Sequence, residues 1–134
     1  MDIVPTLLEK SRVREKEQTL FYRALVVRAG AAGEEELVER LNDLHADEQH
    51  HLSRLTARLL ELGEVPGPLV TRPPTLPQQD EWEGVAFARE EEEVTWYRKA
   101  LDGELDPVTR GLLEEILASE EHHSKELAGK WMSA

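Results

Sequence analysis

Apolar residues recur along this chain at intervals of three, four and seven, the period of an α-helix, in four separate stretches. The first follows Pro5 and Thr6, predicts a helix over about 6–29, and sets Leu8, Tyr22, Leu25 and Ala29 on one face together with Glu15 before Gly30 ends it. The second predicts a helix over about 33–62. Glu34, Glu35 and Glu36 open it, where acids favour a helix N-terminus, and Gly63 is placed to cap its end. Its stripe is Leu37, Leu41, Leu44, Leu52, Leu55, Leu59 and Leu62. Residues 63–79 then carry Pro66, Pro68, Pro73, Pro74 and Pro77, a density that forbids helix and favours an extended path. A third helix is expected over about 80–102, with Phe87, Val94, Tyr97 and Leu101 inward. The fourth, over about 106–130, has Asp106 as N-cap and Pro107 at the first helical position, followed by a stripe of Leu113, Ile116, Leu117, Leu127 and Trp131.

Helices of this length are roughly 35–45 Å long at 1.5 Å per residue, so the expected fold is all-α, a four-helix bundle forming one domain over residues 1–134. The first and last connections are a few residues each and make antiparallel helix hairpins. The Pro-rich middle segment can extend over roughly 55 Å, enough for a crossover along the whole length of a bundle.

Charge narrows the function. Acidic residues number 28 against 16 basic ones, and the net charge of -12 repels nucleic acid phosphates and anionic lipid alike. The absence of cysteine excludes disulfides, thiolate metal sites, iron–sulfur clusters and thiol nucleophiles, so any metal must sit on His and carboxylates. The N-terminus lacks a basic segment followed by an apolar one, and no apolar window is long enough to span a bilayer. The expectation is a cytoplasmic protein that binds neither nucleic acid nor membrane.

The informative feature is what interrupts the apolar stripes. Glu48 lies four residues after Leu44, and His51 four before Leu55; Glu120 follows Ile116 by four, and His123 precedes Leu127 by four. Each pair is Glu-x-x-His, which sets the two side chains about 60° apart on one helix face, able to ligate one centre. Helices one and three contribute Glu15 with Tyr22 and Glu90 with Tyr97, and the segments EKEQTLFYRAL and EEEEVTWYRKAL form an internal repeat. An isolated Glu-x-x-His on an acidic helix is ordinarily a solvated face. Here, however, the midpoint of Glu15 and Glu48 falls between Ala31 and Ala32, and that of Glu90 and Glu120 at Leu105, both in the expected turns. Residues placed symmetrically about a hairpin turn lie level with each other, so four carboxylates and two imidazoles are expected to meet inside the bundle. Carboxylates buried together cost several kcal/mol each without protons or cations. Two divalent metals resolve this, and the oxygen and imidazole donors suit iron or manganese. His45, His50 and His122 lie off the centre of the stripe and are expected to be solvated or supporting groups. Asp47 is a candidate to orient a ligand His by hydrogen bonding, with Ser119 as its counterpart. Glu91 and Glu92 are expected to face solvent, while Trp82, Trp96 and Trp131 are packing residues or electron relays.

Glu on helices one and three, Glu-x-x-His on helices two and four, and a long crossover between two hairpins resemble the ferritin-like superfamily over essentially the whole chain. Within it the sequence most resembles the rubrerythrin family's di-iron domain, which has a further Glu three residues after the helix-three ligand, matched here by Glu93. The resemblance implies two iron ions per chain, with manganese or zinc as substitutes. Glu48 and Glu120 would bridge them, Glu15 and His51 would complete one, Glu90 and His123 the other, and Tyr22 and Tyr97 would hydrogen-bond ligand carboxylates. It implies two-electron reduction of hydrogen peroxide at the di-iron site, with one iron exchanging His51 for Glu93 on oxidation. The second helix has no Met of the kind that holds haem in bacterioferritins, so no haem is expected. A rubredoxin-type cysteine domain is absent from this sequence, which implies a separate electron donor, another protein or Fe(II) itself, and the family suggests a homodimer. Two other readings stay open: a ferroxidase that oxidises Fe(II) with dioxygen or peroxide for storage or detoxification, and a non-catalytic helical module that binds metal.

Overall fold

A computed structural model of the chain describes residues 3–128. Among them are four α-helices, α1 (Ile3–Ala31), α2 (Glu35–Glu61), α3 (Trp82–Leu101) and α4 (Pro107–Glu126), one 3-10 turn at Gln79–Glu81, and no strand. This is the element content of a four-helix bundle. No described helix is long and apolar enough to cross a membrane. The chain divides into two compact units, one ending at Leu76 and the other beginning at Pro77. The first contains the packed pair α1 and α2, the second α3 and α4.

The first unit is a hairpin whose ends are set by glycine. Gly33 has φ 73° and Gly63 φ 82°, the left-handed region in which a Cβ would be strained. At each, the same two bonds close the preceding helix: Gly33 N–H donates to Gly30 O at 3.1 Å and Glu34 N–H to Ala29 O at 3.0 Å, and Gly63 N–H donates to Leu60 O and Glu64 N–H to Leu59 O, both at 3.0 Å. These are Schellman closures, which satisfy carbonyls that the helix end leaves over. Helix α1 begins before the expected Thr6, because Pro5 falls in its first turn, where no backbone donor is required. Helix α2 begins at Glu35 instead of 33, because Gly33 is used by the turn. Leu8, Tyr22, Leu25 and Ala29 of α1 and Leu41, Leu44, Leu55 and Leu59 of α2 are buried, while Leu37, Leu52 and Leu62 are half-buried at the edges of the stripe.

Beyond Gly63 the chain is free of helix up to the 3-10 turn, and its first part is tied to α1. Arg12, 5% exposed, donates through Nε to Thr56 Oγ1 at 2.9 Å and through Nη1 to Gly67 O at 3.2 Å, and it also pairs with Glu9. Glu9 Oε2 in turn accepts from Gly67 N–H at 2.6 Å. A Cβ on Gly67 would meet that oxygen at 3.3 Å, so this helix-free strap lies against Glu9 at a glycine. Further on, Arg72 N–H donates to Glu17 Oε2 at 3.2 Å. Between residues 67 and 72 the strap therefore advances along α1 from the level of Glu9 to that of Glu17, about 12 Å of helix axis. It runs away from the end of the hairpin at which α2 stops.

In the second unit, Asp106 caps α4 as expected, accepting from Thr109 N–H at 3.0 Å, with Pro107 at the start. Arg110 closes the other side of the turn by donating to Leu101 O at 3.0 Å and Gly103 O at 2.9 Å, carbonyls at the end of α3. Two inward assignments on α3 shift. Phe87 and Leu101 are half-buried, and Trp82 and Ala86 are buried, because the inward face follows 82, 86, 90, 93, 94 and 97, leaving Phe87 one residue off its axis. On α4, Leu112, Leu113, Ile116 and Leu127 are buried and Leu117 is half-buried. The expected end of the fourth helix at residues 129–130, and Trp131, lie outside the described residues.

Two outcomes follow from these contacts. Replacing Asp106 with Ala removes the α4 cap and should lower unfolding free energy by about 1 kcal/mol in urea denaturation. Glu9 is partly desolvated, which raises its pKa, but the Gly67 N–H and the Arg12 guanidinium outweigh this and hold the carboxyl below the ordinary glutamate value. A carboxyl depressed in the folded state stabilises it above the unfolded value, about 4.3, and loses that contribution as pH falls through the folded value. The difference in denaturation midpoint between the unmodified chain and Glu9→Gln should thus be largest near neutral pH and shrink below about pH 4.

Candidate metal centre

Inside the first unit, α1 brings Glu15 and α2 brings Glu48 and His51 to one level. All three are buried, both glutamates at 0% exposure. His51 Nδ1 lies 3.1 Å from Glu48 Oε1 and 3.3 Å from Glu15 Oε1. The short turn places residue 15 across from 48–51, and the i, i+3 spacing turns Glu48 and His51 to the same side of α2.

The second unit repeats the arrangement. Glu90 of α3 and Glu120 of α4 are at 0% exposure and His123 at 2%. His123 Nδ1 lies 3.1 Å from Glu120 Oε1 and 3.5 Å from Glu90 Oε1. The same ring nitrogen faces the carboxylates in both units. In each, two carboxylate oxygens and one imidazole nitrogen stand within 4.8 Å of one another, the spacing of donors around a metal ion. Several of these atoms, Glu15 Oε1, Glu48 Oε1, His51 Nδ1 and Glu90 Oε1 among them, are shielded from water and sit at ion-pair distance without hydrogen-bond geometry, although their residues have other contacts. Hard anionic oxygens joined by imidazole, held away from water, can hold a divalent metal ion. No family model matches the chain, and no curated protein matches it.

The other candidates sort by depth. Tyr22 and Tyr97 are at 0% exposure, Tyr22 with its ring edge-on to Phe21 at 5.3 Å between centroids. Glu93 is buried at 5%, on the inward side of α3 one turn beyond Glu90, whereas its neighbours Glu91 and Glu92 are exposed. Asp47 is exposed: one residue from Glu48 is a rotation of about 100° around α2, which carries it to the outer face. Ser119 is half-buried. His50 and His122 are exposed, and His122 Nε2 lies 3.7 Å from Glu126 Oε2. His45 is half-buried, and partial desolvation, followed by the nearby charges of Arg23 and Lys16, pushes its pKa down. Trp82 is buried and Trp96 half-buried.

Two supporting contacts were not foreseen. Gln18, at 1% exposure, donates through Nε2 to Glu48 Oε2 at 3.4 Å. Ser124, buried beside His123, donates through its hydroxyl to Glu91, so this exposed glutamate also links α3 to α4. The repeat carried a signal for the first, since Gln18 occupies the position of Glu93; nothing in the pattern marked the second.

An ion held by these donors should stabilise the fold, because the unfolded chain lacks their arrangement. Manganese(II) at about 100 times its dissociation constant should raise unfolding free energy by roughly 2.7 kcal/mol in denaturant titrations. The double variant Glu48→Ala, Glu120→Ala should show no such rise.

Proposed function

We propose that this chain is a rubrerythrin-like non-haem di-iron oxidoreductase that reduces hydrogen peroxide by two electrons. The observation that carries the reading is the pair of buried Glu, Glu, His sets, one in each hairpin, on positions related by an internal repeat. In this reading Glu15, Glu48 and His51 of one hairpin and Glu90, Glu120 and His123 of the other would hold the irons. When bound, two Fe(II) ions supply one electron each, and hydrogen peroxide with two protons and two electrons becomes two water molecules.

The side chains have their own tasks. The four glutamates supply the negative charge that offsets the irons in an apolar surrounding, where it acts more strongly than in water. Tyr22 and Tyr97, fully buried seven residues beyond Glu15 and Glu90, are about 20° out of line with those glutamates and orient the carboxylates by hydrogen bonding. Among the described residues, Glu93 is the one buried carboxylate beyond Glu15, Glu48, Glu90 and Glu120. A harder, more highly charged ion gains more from an anionic oxygen than from a neutral imidazole, so Glu93 would supply such an oxygen to the oxidised metal. A separate electron donor returns the protein to its reduced state, and the enzyme acts as a homodimer in the cytoplasm.

The test is stopped-flow oxidation of anaerobically Fe(II)-loaded protein, with peroxide and dioxygen compared at equal concentration. Peroxide should be the faster oxidant. Glu93→Gln should retain both irons and react with peroxide about tenfold more slowly, a loss of about 1.4 kcal/mol in transition-state stabilisation. Overlaid traces for the two proteins would remove Glu93 from the mechanism. Faster reaction with dioxygen would make the chain a ferroxidase, and no oxidation by either would make it a non-catalytic metal-binding module.

A further inference from the structure

The repeat that pairs Glu15 with Glu90 and Tyr22 with Tyr97 also pairs Gln18 with Glu93. Both positions are buried, at 1% and 5% exposure, so neither residue was placed there by solvation. They differ by one charge and by the ability to donate a hydrogen bond. The structure shows what the amide does: Gln18 Nε2 lies 3.4 Å from Glu48 Oε2. An ionised carboxylate only accepts, so the amide must turn its NH2 group towards it.

The two oxygens of Glu48 are thereby divided. Oε2 is held by Gln18, while Oε1 lies 3.1 Å from His51 Nδ1, on the side where Glu15 Oε1 lies 3.3 Å from the same nitrogen. An apolar side chain at position 18 would leave Oε2 without this donor, and Glu48 could rotate about its terminal torsion, which is broad for a carboxylate. A glutamate there would place a third acid beside Glu15 and Glu48. Glutamine alone among residues of this length both donates and adds no charge.

We infer that Gln18 is a positioning residue of the metal centre: its amide fixes Glu48 so that one oxygen is presented with Glu15 and His51 to a bound ion. Its neutrality confines the additional carboxylate to the Glu93 position of the other hairpin. The inference rests on the metal-binding reading above, and concerns which oxygen of a ligand is offered and how firmly.

The experiment uses cobalt(II) as the probe, with uptake by the full-length chain followed by equilibrium dialysis and the loaded protein examined by visible absorption. Gln18→Leu keeps the volume and removes the donor; Gln18→Met does the same with an unbranched, more adaptable chain, should the branched one disturb packing. Outer hydrogen-bond partners of ligands typically contribute 10–100-fold to metal affinity, so either folded variant should bind cobalt(II) at least about tenfold more weakly. Its ligand-field bands should also change in position or intensity, a signature that a packing role alone would not alter. Affinity within about twofold of the unmodified chain and superimposable spectra would overturn the role of Gln18 while leaving the metal site standing. No cobalt(II) uptake by the unmodified chain would overturn the metal reading, and this inference with it.

Discussion

Carboxylates inside an apolar helical stripe are the constraint on which the rest of this protein depends. Glu15, Glu48, Glu90 and Glu120 are all at 0% exposure, and each stands next to an imidazole nitrogen. An acid in such a position is tolerated only if its charge is offset and its oxygens are engaged. A helix can meet that demand in part from its own sequence, by placing His three residues after Glu. The other carboxylate must come from a second helix, at the same height and facing the same way.

That requirement makes register the quantity to be protected. Sliding α1 by one residue against α2 would displace Glu15 by about 1.5 Å and rotate it by about 100°, enough to take it out of reach of His51. The Schellman closures at Gly33 and Gly63 fix where α1 and α2 end, and Asp106 with Arg110 fixes the turn between α3 and α4. The Arg12 clasp adds a tie of another kind, joining α1, α2 and the strap through Thr56, Gly67 and Glu9. A buried guanidinium with three such partners resists displacement because any slip would leave part of its fork unsatisfied.

Within this near-symmetric plan the two hairpins are not equivalent. Position 18 is an amide that donates to Glu48; position 93 is itself a carboxylate. The extra acid stands in one hairpin only, and the corresponding place in the other is taken by a neutral donor. The proposed peroxide chemistry draws on that difference.

Much of the site was legible in the sequence because it is local. Glu-x-x-His on α2 and α4, the equal offsets of Glu15 with Glu48 and of Glu90 with Glu120 from their turns, and the glycines and Asp106 that end or start helices all follow from the helical period and from backbone rules within a few residues. The neutral Gln18 opposite Glu93 was visible too, but not its bond to Glu48. What the sequence did not disclose lies in contacts and packing beyond the helical period. Arg12 meets Gly67 across 55 residues, Ser124 meets Glu91 across 33, and Trp82 and Ala86 displace Phe87 from the centre of the inward face. Periodicity gives the direction of a side chain to within a part of a turn. Which atoms then touch depends on how far apart the helices pack, where a strap comes down and which side chains fill the space, and only the tertiary structure decides those.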